Sequence, residues 1–150
     1  MTYEFHPRYL VREKVAEALD YHIQDIPVFK SGLQAISSSV LPIIIVQIGN
    51  ETVQNRVQNQ AKNYYNREVE ILVVIKGKNA DAEKAEDQVN KIARRVENAL
   101  LTPDSIVFDD TNLITNFYLE SFDVGIPDEG TVEYIIQITF KATYNDKFLS

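Results

Sequence analysis

Arg67–Asp87, REVEILVVIKGKNADAEKAED, changes its repeat halfway along. Up to Lys76 charged and apolar residues alternate with period two. The chain then turns polar at Gly77-Lys78-Asn79, and a helical pattern begins. Period two places side chains on opposite faces of a strand, so Tyr65–Lys76 is predicted as a strand. Tyr65, Arg67, Val69, Ile71, Val73 and Ile75 share one face. Tyr64, Asn66, Glu68, Glu70, Leu72 and Val74 share the other. The first face is apolar except at Arg67, near the outer end. Gly77–Ala80 is predicted as the turn. Asp81–Leu101 reads as a helix with Asp81 as N-cap and an apolar stripe of Ala82, Ala85, Val89, Ile92, Ala93, Val96 and Leu100. Acids cluster in its first turns and bases follow, which complements the helix dipole.

Downstream, Leu113–Val124 and Val132–Tyr144 read as two more strands. In the first, Ile114, Tyr118, Phe122 and Val124 fall on one face by parity, and Leu113, Phe117 and Leu119 on the other. Between the two strands lies DVGIPDEGTVE, a hairpin connection marked by Gly and Pro and rich in acids. Upstream, Pro7–Leu19 reads as a helix and Val28–Lys30 as a short strand, with Ser31–Val40 as a linker. Pro42–Gly49, PIIIVQIG, is almost continuously apolar and is expected to be a central strand buried on both faces. Asn50–Asn66 follows, with eight Asn or Gln in 17 residues. It is read as a long polar loop or an extended hairpin arm. The fold expected is α+β: one domain over residues 1–150, with a mixed, mostly antiparallel sheet of about four or five strands and two helices on one face.

Composition narrows the function. The chain has 150 residues, 45% hydrophobic and 25% charged, which fits one globular domain. It lacks cysteine, and so offers no disulfide, thiolate metal site or thiol nucleophile. The N-terminus has no signal-peptide pattern, and the longest apolar run is too short to span a bilayer. A soluble protein that does not bind membranes is expected. Residues 1–101 balance 13 acids with 13 bases, whereas residues 102–150 hold nine acids against Lys141 and Lys147 and supply the whole net charge of −7. Such a segment does not grip a phosphate backbone, but it would let DNA slide past.

Catalytic patterns are missing. His6 and His22 stand outside any two-ligand spacing. The five glycines form no phosphate cradle. A metal-dependent nuclease would need an acid-x-Lys triplet, and none occurs. Asp109, Asp110, Glu120 and Asp128 are the carboxylates a divalent-ion hydrolase would have to use. No cofactor or metal is expected, and the protein is read as a non-enzyme. Arg56, Lys62, Tyr64, Tyr65 and Arg67 in and beside the polar segment are of types enriched at protein interfaces. Asp128 and Glu129 in the acidic hairpin are candidates for docking on a basic partner.

The order of elements resembles the tail terminator (tail completion) proteins of long-tailed bacteriophages, the family that includes the minor tail protein U of phage lambda. The resemblance is carried by REKVAEAL, LPIIIVQIG, REVEILVVIKG, DAEKAEDQVNKIARRVENALL and EYIIQITFKATY in that order, and it covers most of the chain. It implies a virion structural protein, assembled in the host cytoplasm, that forms a homo-hexameric ring on the finished tail tube. Such a ring stops tube polymerisation, meets the head–tail connector protein, touches the sheath in a contractile tail, and passes DNA through its hole. The alternatives are another head–tail joining or neck protein, a small binding domain with a concave apolar pocket, and the divalent-metal hydrolase.

Overall fold

The computed structural model describes residues 7–30, 41–59, 62–79, 81–102, 114–125 and 133–148. The elements are helix α1 (Pro7–His22), strands β1 (Val28–Phe29), β2 (Ile43–Asn59) and β3 (Lys62–Lys78), helix α2 (Ala82–Leu101), and strands β4 (Ile114–Gly125) and β5 (Glu133–Phe148). One five-stranded sheet runs in the order β1-β2-β3-β5-β4. Only the β1–β2 junction is parallel, and the other three are antiparallel. The expected α+β class with a mixed, mostly antiparallel sheet is what forms.

Alternation decides which face the helices cover. Val69, Ile71, Val73 and Ile75 of β3 are fully buried, as are Ile136, Ile138, Phe140, Ala142 and Tyr144 of β5. Val11, Val15 and Leu19 of α1 lie one turn apart and meet this layer. From α2 come Ala85, Val89, Ile92, Ala93, Val96, Ala99 and Leu100. Helix α2 packs on β3 and β5, and α1 on β2 and on α2. Asp81 caps α2 by accepting from the Glu83 amide at 3.0 Å. Such a cap is worth about 1 kcal/mol.

Gly77 explains the tight join between β3 and α2. A Cβ there would lie 2.4 Å from Cγ2 of Val89 and 2.8 Å from Oε1 of Gln88. Only a residue without a side chain lets the helix come down so close to the strand it has just left. The strand itself runs on through Lys78, two residues into the predicted turn.

Two expectations change, and one pair of alternatives is decided. The polar segment takes the extended hairpin arm of its two readings: β2 continues to Asn59 and β3 starts at Lys62, with partners from Glu51↔Val69 to Asn59↔Lys62. Strand pairing is a backbone property, so a segment with little to bury can still complete a ladder. Strand β2 is not central, because β3 occupies the middle of the sheet. Burial on both faces is confined to Ile43–Val46, and Gln47, Ile48 and Gly49 are only partly covered. Finally, β4 does not keep its sequence parity. Its register slips between Ile114 and Asn116 and again between Leu119 and Ser121. The second slip puts Phe122 and Val124 on the same face as Phe117 and Leu119, because their partners Ala142, Phe140, Ile138 and Ile136 all face the helices. Residues 31–40 lie outside the described residues, as do 126–132 of the acidic connection.

Candidate assembly surface

The longest strands outrun their helices. Beyond Val69 and Tyr144, β3 continues to Lys62 and β5 to Phe148, and β2 runs beside them to Asn59. These segments make a three-stranded arm, with Asn63↔Phe148 and Asn59↔Lys62 at its outer end. Arg56 pairs in register with Tyr65, and Val57 with Tyr64. Four of the sequence-selected residues, Arg56, Lys62, Tyr64 and Tyr65, thus belong to one arm.

Arg67 stands at the base of the arm. A register slip between Ile48 and Glu51 turns Glu51 onto the helix side of β2, opposite Val69. There its carboxylate is only 8% exposed, and it receives Arg67 at 3.5 Å and Arg8 of α1 at 3.7 Å. The Tyr144 hydroxyl donates to the same carboxylate. A buried carboxylate must be compensated, and here two guanidiniums and a phenol do so. The cluster ties α1, β2, β3 and β5 together where the arm leaves the core. Parity alone placed Arg67 on this face, but Glu51 as its partner depends on the bulge, which leaves no mark in the sequence.

The opposite face of the sheet carries a second polar cluster. Lys141 reaches Glu120 at 2.8 Å and Glu68 at 3.3 Å. The Tyr118 hydroxyl donates to Glu68 at 3.1 Å. The hydrogen bonds to Glu120 and then Glu68 hold the Lys141 ammonium well above its ordinary range. Tyr118 is also raised, first by desolvation and then by the Glu68 carboxylate that favours its protonated form. Glu120, one of the hydrolase candidates, is therefore in an ion pair.

Strand β4 is the edge of the sheet farthest from α1. Its helix-side residues Leu119, Phe122 and Val124 are 37%, 42% and 51% exposed. Phe117 is better covered and stacks on Phe140 with ring centroids 5.3 Å apart. An apolar strip on an edge strand is the kind of surface that partners cover. Sequence parity split these residues between two faces, so the strip was not legible. At the other edge, β1 pairs only with Ile44 and Ile45, and among the described residues no strand lies beside β2 from Val46 to Asn59.

Other concavities are modest. A cleft of about 470 Å³ between α2 and the α1–β1 connection is lined by Asp25, Ile26, Lys84, Gln88 and Arg95 among others. Asp25 and Arg95 close one side with two hydrogen bonds of 2.5 and 3.0 Å. That guanidinium holds the Asp25 carboxyl below its ordinary value of 3.8. Five of the nine residues that line this cleft are charged, unlike those of an ordinary small-molecule pocket. Among the described residues no three His, Asp or Glu come together as a metal site. No helix among them is long and apolar enough to cross a membrane. His22 is exposed and sets its ring edge-on to Tyr21 at 4.9 Å. His6, Asp109, Asp110, Asp128 and Glu129 lie outside the described residues.

No protein-family model matches the chain, and no curated protein does. Solved structures do. A chain from the virion of a native gene transfer agent particle aligns with a TM-score of 0.57 and 11% identity, over 91% of this chain and 95% of that one. Another solved chain aligns at a TM-score of 0.50 with 11% identity, over 91% and 92%. A sheath/tube terminator of an extracellular contractile injection system aligns at 0.47 with 12% identity, and this chain spans 60% of its length. At these identities the likeness is one of fold, and the fold is one found in a virion particle.

Proposed function

We propose that this chain is a tail terminator. Six copies form a closed ring on the end of a finished tail tube, stop its growth and present a surface to the head–tail connector. The observation that carries this reading is the asymmetry of the sheet's two margins. One margin bears the open edge of β2, which runs out into the arm, and the other bears an apolar strip on β4. Two unlike surfaces on one subunit are what a heterologous contact needs, and heterologous contacts that close make rings. The fold shared with a gene transfer agent virion chain supports a place in a virion, and assembly in the host cytoplasm is proposed along with it. In a contractile tail the last sheath ring would also meet this ring.

The protein acts without catalysis in this reading. Its work is to occupy the tube end with a rigid wedge, the β3–α2 unit at the centre of each subunit. The acidic C-terminal third, nine acids against two bases, suits a wall that DNA passes without sticking. We place Asp128 and Glu129 on the lumen or on the face toward the tube. Light scattering on the purified protein over a range of concentrations, followed by imaging of the large species, tests the proposal. A closed six-subunit ring with an acidic channel is the expected outcome. A monomer at every concentration, with no rings in the images, overturns it, and an outer-rim position for Asp128 and Glu129 overturns the lumen assignment.

A further inference from the structure

We infer that Glu51 sets the direction in which the arm leaves the body of the subunit. The inference concerns a single copy and goes beyond the ring reading, which stands or falls without it. Inside the body, burial fixes the strands: Val46, Val69, Ile71, Ala142 and Tyr144 belong to the core under the helices. The described core ends at Val69 and Tyr144, and beyond them the ladder runs on to Asn59, Lys62 and Phe148. A ladder resists bending within the sheet plane, because that would stretch its hydrogen bonds. Out of the plane it bends by small changes of φ and ψ spread over several residues. A ribbon of three strands is held less firmly than a sheet packed on a helix. Strand β2 also slips in register twice at this point, between Ile48 and Glu51 and between Val53 and Asn55. Slips of this kind bend the strand that carries them. Backbone pairing thus brings the arm out of the body but leaves its angle soft.

Glu51 stands at the first slip, on the helix side. Its carboxylate is 8% exposed and is held by Arg67 of β3, by Tyr144 of β5 and by Arg8 of α1. Helix α1 belongs to the body, since Val11, Val15 and Leu19 are in the core. A charge at the base of the arm is therefore tied to a helix of the body, across the direction in which the ribbon bends most easily. Buried ion pairs add little net stability, because desolvation offsets their attraction, and their best-attested use is to select one arrangement among several. An apolar side chain at position 51 would be buried equally well, but apolar packings of similar energy would permit several angles. A satisfied buried polar network is more exacting and rigidifies what it joins. An arm held at one angle is preorganised for whatever it meets, which lowers the entropic cost of association.

Distances between pairs of spin labels test this, and a chain without cysteine takes labels only where they are placed. One pair, Glu17→Cys on α1 and Asn59→Cys at the outer end of the arm, reads the arm against the body. A second pair, Glu17→Cys and Asn90→Cys on the exposed sides of α1 and α2, reads the body alone. Labelled copies are diluted into unlabelled protein of the same variant, so only distances within one subunit are read, whether or not copies associate. In the parent the arm pair is expected to give one narrow maximum. Glu51→Gln keeps the shape and removes the charge, and it is expected to lose that maximum to a broad spread while the body pair stays unchanged. Arg8→Gln is expected to do the same. Arg8 is 39% exposed, so its replacement opens no hole in the core, and it carries the test if circular dichroism shows that Glu51→Gln does not fold. A broad arm distribution in the parent overturns the inference, as does a narrow one in either variant once folded. Loss of the fold in both variants, or broadening of the body pair along with the arm pair, also overturns it, because the cluster would then hold the whole fold and not the angle of the arm.

Discussion

A single missing side chain sets how closely the central strand and helix pack. Gly77 has Val89 where a methyl group would have to go, 2.4 Å from the ideal Cβ. Gly77→Ala is expected to destabilise the fold by about 1–3 kcal/mol, the usual cost of overpacking. Urea unfolding monitored by circular dichroism reads this out, and an unchanged midpoint would refute it. Combining it with Val89→Ala should cost less than the two single changes added together, since both act on one contact. The glycine was visible in the sequence as turn punctuation, but the reason for it was not. Its neighbour Val89 is twelve residues further along the chain, a distance over which only the packed helix brings the two together. Glu51 is similar. As a letter it sits in a polar run, and only the register slip beside it turns it inward to Arg67, Arg8 and Tyr144.

At the scale of elements, the unit that carries both periods was legible, and the arm only as one of two readings. Strand β3 and helix α2 declare themselves because each buries one face, and burial is what hydrophobic spacing records. The arm is held by a ladder of backbone groups, which have the same chemistry in every residue. Its Asn and Gln side chains therefore carry no strand signal, and the sequence does not choose between a loop and an extended arm. Strand β4 was misread for a related reason: parity counts residues, and each slip in its pairing adds one to the count. Removing Val53–Lys62 takes off the tip of the arm and leaves the core residues from Val69 inward in place. The truncated protein is expected to keep the melting curve of the parent within about a degree or two, as surface changes do, and to lose ring formation in light scattering. A ring that survives the deletion would remove the arm from assembly.

For the molecule as a whole, charge is divided along the chain: balanced through residue 101, strongly acidic after it. Six copies with a net charge of −7 each would crowd like charge into one ring, and salt screens such repulsion beyond about 8 Å at physiological ionic strength. Ring assembly is therefore expected to strengthen as salt is raised. Sedimentation velocity across a salt series reads this directly. Assembly that weakens steadily with salt would mean that opposite charges across the subunit contact outweigh the repulsion.

The arm also fixes which lengths the chain can adopt there. A strand advances about 3.4 Å per residue and returns to the same face every second residue. A pair of residues added to each strand of the arm would move its tip outward by about 7 Å and keep every side chain on its face. One residue added to a strand would exchange the two faces, unless a new bulge absorbed it. Insertions in this segment are thus tolerated in even steps, and the reach from one subunit to the next can be tuned only in those increments.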